Sequence, residues 1–295
     1  MSDAELSRRL GAFQRIEAIC IIFTVISAIG CVAVLFFYKN LIAAALFAVA
    51  ATCILIGNAA RRKKAALLNE QLGDFFSSEF EKKFGPEQAQ DKTRIDKLFM
   101  EKFRLSDGQW EECFISGSRS GTWRETGFSA ANVRLDHRYQ KKNGQEGVET
   151  FTETVFDGLV VRCKTANKPL PLVRIDARTT GSPDGFLTGD GNFDERFVVR
   201  ASNAADVSAL LTPELIGTLV SFEQSMNGGL SGVIFEENVL SLAVATKKRF
   251  AAVPDSIDLR DIDAVRRTYI GSLDDMSRSL NILFESETLF GKTFV

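Results

Sequence analysis

AICIIFTVISAIGCVAVLFF (18–37) and LIAAALFAVAATCILIGNAA (41–60) stand almost back to back, separated by Tyr38, Lys39 and Asn40. Neither run holds a charged residue. At about 1.5 Å per residue, roughly 20 residues make a helix of about 30 Å, the thickness of a bilayer's hydrocarbon core. With so short a link, the pair reads as a helical hairpin that enters a membrane and returns. The cations RRKK (61–64) close it.

Cations beside spans stay on the cytoplasmic side. Arg8, Arg9 and Arg15 precede the first run, and Arg61, Arg62, Lys63 and Lys64 follow the second. The link offers Lys39 alone. The expectation is a multi-pass protein of a cell inner membrane with both termini cytoplasmic. A cleaved signal peptide has a shorter apolar core and no second span directly behind it. A lipid-modified Cys31 lacks the leucine expected three places earlier. Ala44, Ala48 and Thr52 give the second run a face of small residues suited to close helix packing.

Outside the hairpin about 230 residues remain, enough for one sizeable core. The net charge of −2 gives no field that calls for nucleic acid. Of five cysteines, three (Cys20, Cys31, Cys53) fall in the runs. Cys113 and Cys163 show no metal or redox spacing. They read as inert thiols in a reducing compartment. Phe (24) far outnumbers Tyr (3) and Trp (2), which suits core filling more than a ligand platform.

Residues 1–17 carry an amphipathic stripe, Leu6, Leu10, Phe13 and Ile16, and read as an extension of the first span. Leu68, Leu72, Phe76, Phe80 and Phe84 recur at steps of four, so the second helix should run on as a stalk until Gly85-Pro86. A further amphipathic helix is expected over 88–105. After Gly108 the texture becomes strand-like, at 114–116, 133–135, 151–156, 159–164, 172–177 and 193–200. Asp157-Gly158 reads as a hairpin turn, or else as a bulge in one long strand. Asn203 and Thr212-Pro213 start helices. A last hairpin turns at Glu237-Asn238. Asp258 is expected to cap a closing helix with the seam Ile262, Val265, Tyr269, Leu273, Met276, Leu280 and Leu283. The fold class that follows is α+β. It comprises a membrane hairpin (1–64), a helical stalk (65–106) and a mainly antiparallel sheet domain with C-terminal helices (107–295).

The segments TVFDGL (154–159), NKP (167–169), FDERFVV (193–199), LTPEL (211–215) and LSLAVA (240–245) carry a resemblance. The chain resembles the bacterial two-span membrane proteins grouped as domain of unknown function 3137. The resemblance implies two N-terminal spans, a cytoplasmic α+β part and a bacterial inner membrane. It brings no catalytic residues. The glycine-rich loop 179–192 departs from it.

No catalytic or cofactor motif is complete, so no cofactor is expected. Gly291-Lys292-Thr293 lacks the upstream glycine of a phosphate loop, since Ser286 stands there. His137, the single histidine, reads as solvated between Asp136 and Arg138. Asp184, Asp190, Asp194 and Glu195 do not have calcium-loop spacing. Arg61, Arg62, Lys63 and Lys64 are the candidate contacts for anionic lipid. The expected partners are the bilayer and a protein at its surface, not nucleic acid. The expected role is a membrane-anchored binding or scaffold protein. The alternatives are a tethered enzyme built from scattered residues such as Asp136, His137 and the loop acids, or an anionic-lipid binder.

Overall fold

The computed structural model describes residues 2–37, 41–87, 93–103, 105, 109–142, 148–165, 169–179, 182, 184–254 and 257–291. The Tyr38–Asn40 link, Asp107-Gly108 and Asn167-Lys168 lie outside them. The fold is α+β: long N-terminal helices, a seven-stranded antiparallel sheet and C-terminal helices. The chain forms two compact units, one of residues 1–78 with 253–268, the other of 79–252 with 269–295.

The first unit is built on α1 (Asp3–Phe37) and most of α2 (Leu41–Phe84). Both helices are long and apolar enough to cross a membrane. Only 17% and 6% of their most apolar windows are buried, so their greasy surface faces outward. That is the pattern of helices solvated by lipid. The helices pack antiparallel. A Cβ on Gly57 would lie 3.4 Å from Cys20 Cβ, and one on Gly30 would lie 3.3 Å from Leu46. Residues 3–17 belong to α1 itself, with Leu6 and Leu10 buried. Gln14 ties this end to residues 257–259: its Nε2 donates to Ile257 O (2.9 Å), and Leu259 N donates to its Oε1 (3.2 Å). Arg266 pairs with Asp3 at 3.0 Å.

The second unit is a sheet in the order β1-β2-β3-β7-β6-β4-β5. Its strands are β1 (Glu112–Trp123), β2 (Thr126–Lys142), β3 (Val148–Lys164), β4 (Leu170–Ala177), β5 (Phe197–Ala201), β6 (Gly229–Glu237) and β7 (Val239–Ala245). One face is covered by residues 95–105, which bury Ile95, Phe99, Met100 and Phe103 against Leu135, Val160 and Ile234. The other face buries Phe128, Leu159, Val161, Phe235 and Leu242. Phe84, at the end of α2, sits edge-on to Phe128 at 5.1 Å. Buried Asn132 joins this core to the chain behind β7. Its Nδ2 donates to Phe250 O (2.8 Å), and Phe250 N donates to its Oδ1 (2.9 Å).

Several local expectations hold. α2 continues to Phe84 and stops at Gly85, where φ is 71°. Asn203 caps α5 (Ala204–Leu210), and Thr212 caps α6 (Pro213–Ser225) with proline in its first turn. β6 and β7 turn at Glu237-Asn238, with Glu237 at φ 54°. The seam of α7 (Ile262–Phe284) is buried along its length.

Four expectations need correction. Asp157-Gly158 is no turn, because β3 runs through it and pairs with β2 and β7 together. The irregularity in β3 lies beside it, where the register shifts between Leu135 and Asp136. Residues 193–196 are helical, not extended: Asp190 Oδ1 accepts from Phe193 N and starts α4 (Gly191–Arg196). Among the described residues of 88–105, only α3 (Lys97–Met100) is α-helical. Asp261, not Asp258, accepts from the first turn of α7 through Ala264 N (2.8 Å). Arg260 has claimed Asp258 and holds its carboxyl at about 2.

Candidate functional site

The block 61–64 sits on α2 one turn past the apolar run, so successive residues point in different directions. That splits the four cations. Arg61 and Lys64 turn toward α1 and share Glu17, each at 2.8 Å. Glu17 and Lys64 are nearly buried, with 12% and 7% of their side chains exposed. Arg62 and Lys63 are exposed. A carboxylate shared by two cations in a partly dry setting is stronger than a surface pair. Half of the block therefore holds the helices together, and half faces outward. Above the ion cluster, Cys20, Thr24, Cys53, Ile54 and Gly57 line an apolar cleft of about 200 Å³.

His137 lies on β2 beyond the end of β1, with its ring 5.8 Å from Tyr139, which stacks in turn on Phe151 at 5.6 Å. Its Nδ1 is 3.2 Å from Glu111 Oε1. The Arg138 backbone N–H holds Glu111 below the ordinary carboxylate range. Asp136 does not join this pair, because neighbouring residues on a strand face opposite ways. Its buried carboxylate accepts from Arg134 Nε (2.9 Å) and Nη2 (2.7 Å) and from Thr154 Oγ1 (2.8 Å). Those bonds keep it ionised, the Arg134 fork foremost. The Asp136–His137 constellation of the sequence is thus divided between two sides of the sheet.

The loop acids have structural work. Asp190 caps α4, and Asp194 accepts from Thr188 N, Thr188 Oγ1 and Gly189 N at 2.8–3.2 Å. Asp184 and Glu195 are exposed. Among the described residues, no three His, Cys, Asp or Glu side chains converge as metal ligands would. Burial pushes the thiols of Cys113 and Cys163 upward, away from the reactive thiolate. Gly291 ends the helix α8 (Glu287–Phe290), and 292–295 lie outside the described residues.

Two features escaped the sequence reading. Glu17 is the partner of the cation block, and its only signal was an acid bordering an apolar run. Arg162 is a buried arginine in mid-sheet, stacked 3.8 Å over Phe99. Burial lowers it to about 10, yet a guanidinium this well bonded stays charged near neutrality. Its Nη1 donates to Arg94 O (2.5 Å) and its Nε to Ser241 Oγ (3.2 Å), fastening residues 94–99 to the sheet. No family model, curated protein or solved structure matches the chain.

Proposed function

We propose that this is a two-span protein of a bacterial cytoplasmic membrane, with both termini inside, whose α+β part serves as a docking module beside the bilayer. The observation that carries the reading is the geometry of the first unit. Outward apolar surface on antiparallel α1 and α2 calls for lipid. Gln14 and Asp3 tie the start of α1 to residues 257–266, so these segments share one side of the membrane with the cationic end of α2. Two crossings are the arrangement compatible with that, and the cations favour the cytoplasm for that side. The resemblance to the two-span bacterial family agrees with this reading and is part of the proposal. A protein at the membrane surface is the partner this arrangement serves.

The test is a compartment reporter fused after Val295, with a second fused in the 38–40 link. Activity on the cytoplasmic side for the first and on the far side for the second is the expected outcome. The reverse pattern, or both on one side, refutes the reading.

One observation favours an added contact with anionic lipid. Arg62 and Lys63 are exposed beside the span, where each cation near an anionic surface gains about 1 kcal/mol. Arg62→Gln with Lys63→Gln should then weaken co-flotation with anionic vesicles and leave neutral vesicles unaffected. Equal flotation would remove the lipid claim alone.

A further inference from the structure

The apolar cleft at the cationic end of the hairpin is a groove of limited length. It runs from Glu17 to Val25 on α1 and from Cys53 to Arg61 on α2, about two helical turns or ~12 Å. Ile21, Val25 and Ile54 stand exposed along it, while Cys20, Thr24 and Cys53 are buried or half-buried below them. Thr24 Oγ1 donates back to Cys20 O (2.8 Å), so its hydroxyl is satisfied and the floor is apolar. Deeper in the span the helices close again: Ser27 is buried, and Gly30 comes into contact with Leu46. At about 200 Å³ the groove far exceeds the water-sized voids of ordinary packing.

Its other end is polar. Asn58 and Arg61, three residues apart on one face of α2, both line it. The Asn58 side chain is exposed and makes no hydrogen bond among the described residues. An amide at the edge of an apolar run calls for a polar partner. Arg61 meets Glu17 through Nε and Nη2, which leaves Nη1 outside both contacts on a side chain 59% exposed. A phospholipid phosphate fits this end: it is anionic, it lies at the depth where the apolar run gives way to the cations, and it is joined to an acyl chain. A third transmembrane helix fits poorly, because it packs along many turns and this groove ends after two.

We propose that the groove binds one anionic glycerophospholipid. An acyl chain lies between Ile21, Val25 and Ile54, and the phosphate accepts from Arg61 Nη1 and Asn58 Nδ2. The contact assigned to Arg62 and Lys63 is a diffuse attraction to the surface; this is a single, saturable site. It rests on the two-span reading, because the groove must open to lipid. The two claims fail separately: the reporter fusions test the spans, and lipid cross-linking tests the groove.

The test uses the full chain in neutral micelles with phosphatidylglycerol that carries a diazirine in the upper half of one acyl chain. Photolysis should attach the lipid at Thr24, Cys53 or Ile54. Unlabelled phosphatidylglycerol should compete about tenfold better than phosphatidylcholine, the worth of a charge-assisted contact. A Cβ at position 57 meets only Cys20 Cβ, at 3.4 Å, so a longer side chain there enters the groove. Gly57→Leu should therefore abolish labelling of these residues, and Gly57→Ala should retain it. Asn58→Leu should narrow the preference for phosphatidylglycerol about fivefold, the scale of one hydrogen bond. Arg62→Gln with Lys63→Gln should leave the labelled positions unchanged. Labelling spread evenly over exposed apolar residues such as Ile29, Phe47 and Leu55 overturns the proposal. So does equal competition by phosphatidylcholine, or labelling of folded Gly57→Leu at the wild-type level. If Gly57→Leu does not fold, the wild-type labelling map and its competition decide alone.

Discussion

Gly158→Ala tests the reading of the sheet most directly. Gly158 lies in the middle of β3, between β2 and β7. A Cβ there would stand 2.0 Å from Val244 O and 2.9 Å from Ala245 Cα. Both obstacles are backbone, so no side chain can swing aside. β7 would have to retreat by about 1 Å or more before the contact became tolerable, enough to break a normal N–H···O bond. Two ladder bonds lost at about 1 kcal/mol each, with about 1–3 kcal/mol of overpacking, total about 3–5 kcal/mol. That is a large share of the ~5–15 kcal/mol that holds a domain folded. The assay is thermal unfolding of the full chain in neutral micelles, where the apparent melting temperature should fall by about 10 °C. Gly158→Asn sharpens the test. A turn glycine tolerates asparagine, which adopts the left-handed conformation readily. A glycine excluded by a neighbouring strand does not. If Gly158→Asn melted within a degree or two of the wild type, the continuous strand and its packing against β7 would be wrong.

Two more outcomes follow from named contacts. Asp136 is held below its unfolded range by Arg134 and Thr154, so it contributes stability above about pH 4 that is lost as pH falls through the folded value. Asp136→Asn should therefore be less stable than the wild type near pH 7, with the gap closing toward pH 3. A gap that does not depend on pH would refute the ionic role. Glu17→Gln removes the carboxylate shared by Arg61 and Lys64 and should cost about 3 kcal/mol, the scale of breaking a largely buried pair. It is read as an earlier midpoint when SDS is titrated into mixed micelles. An unchanged midpoint would show that the pair does not hold the hairpin.

What the sequence determined is what composition and short-range geometry dictate. Two uncharged runs of bilayer length fall in α1 and α2, which are long and apolar enough to cross a membrane. Asn203 and Thr212 could be read because a cap acts within three residues of its own position. The α7 seam was legible because helical spacing repeats locally. Only the tertiary structure decided whether a Gly beside an Asp would bend or lie flat. At Gly158 the determining group is Val244 O, some 86 residues away in sequence. Distance in sequence also hid the partner of Arg61 and Lys64, since Glu17 reaches them across the helix pair. It equally hid the facing of Arg174 and Arg200, because register between β4 and β5 depends on how the whole sheet closes. Local propensity cannot carry such information: each of these pairings is a choice among strands and helices, made by which apolar faces are buried together.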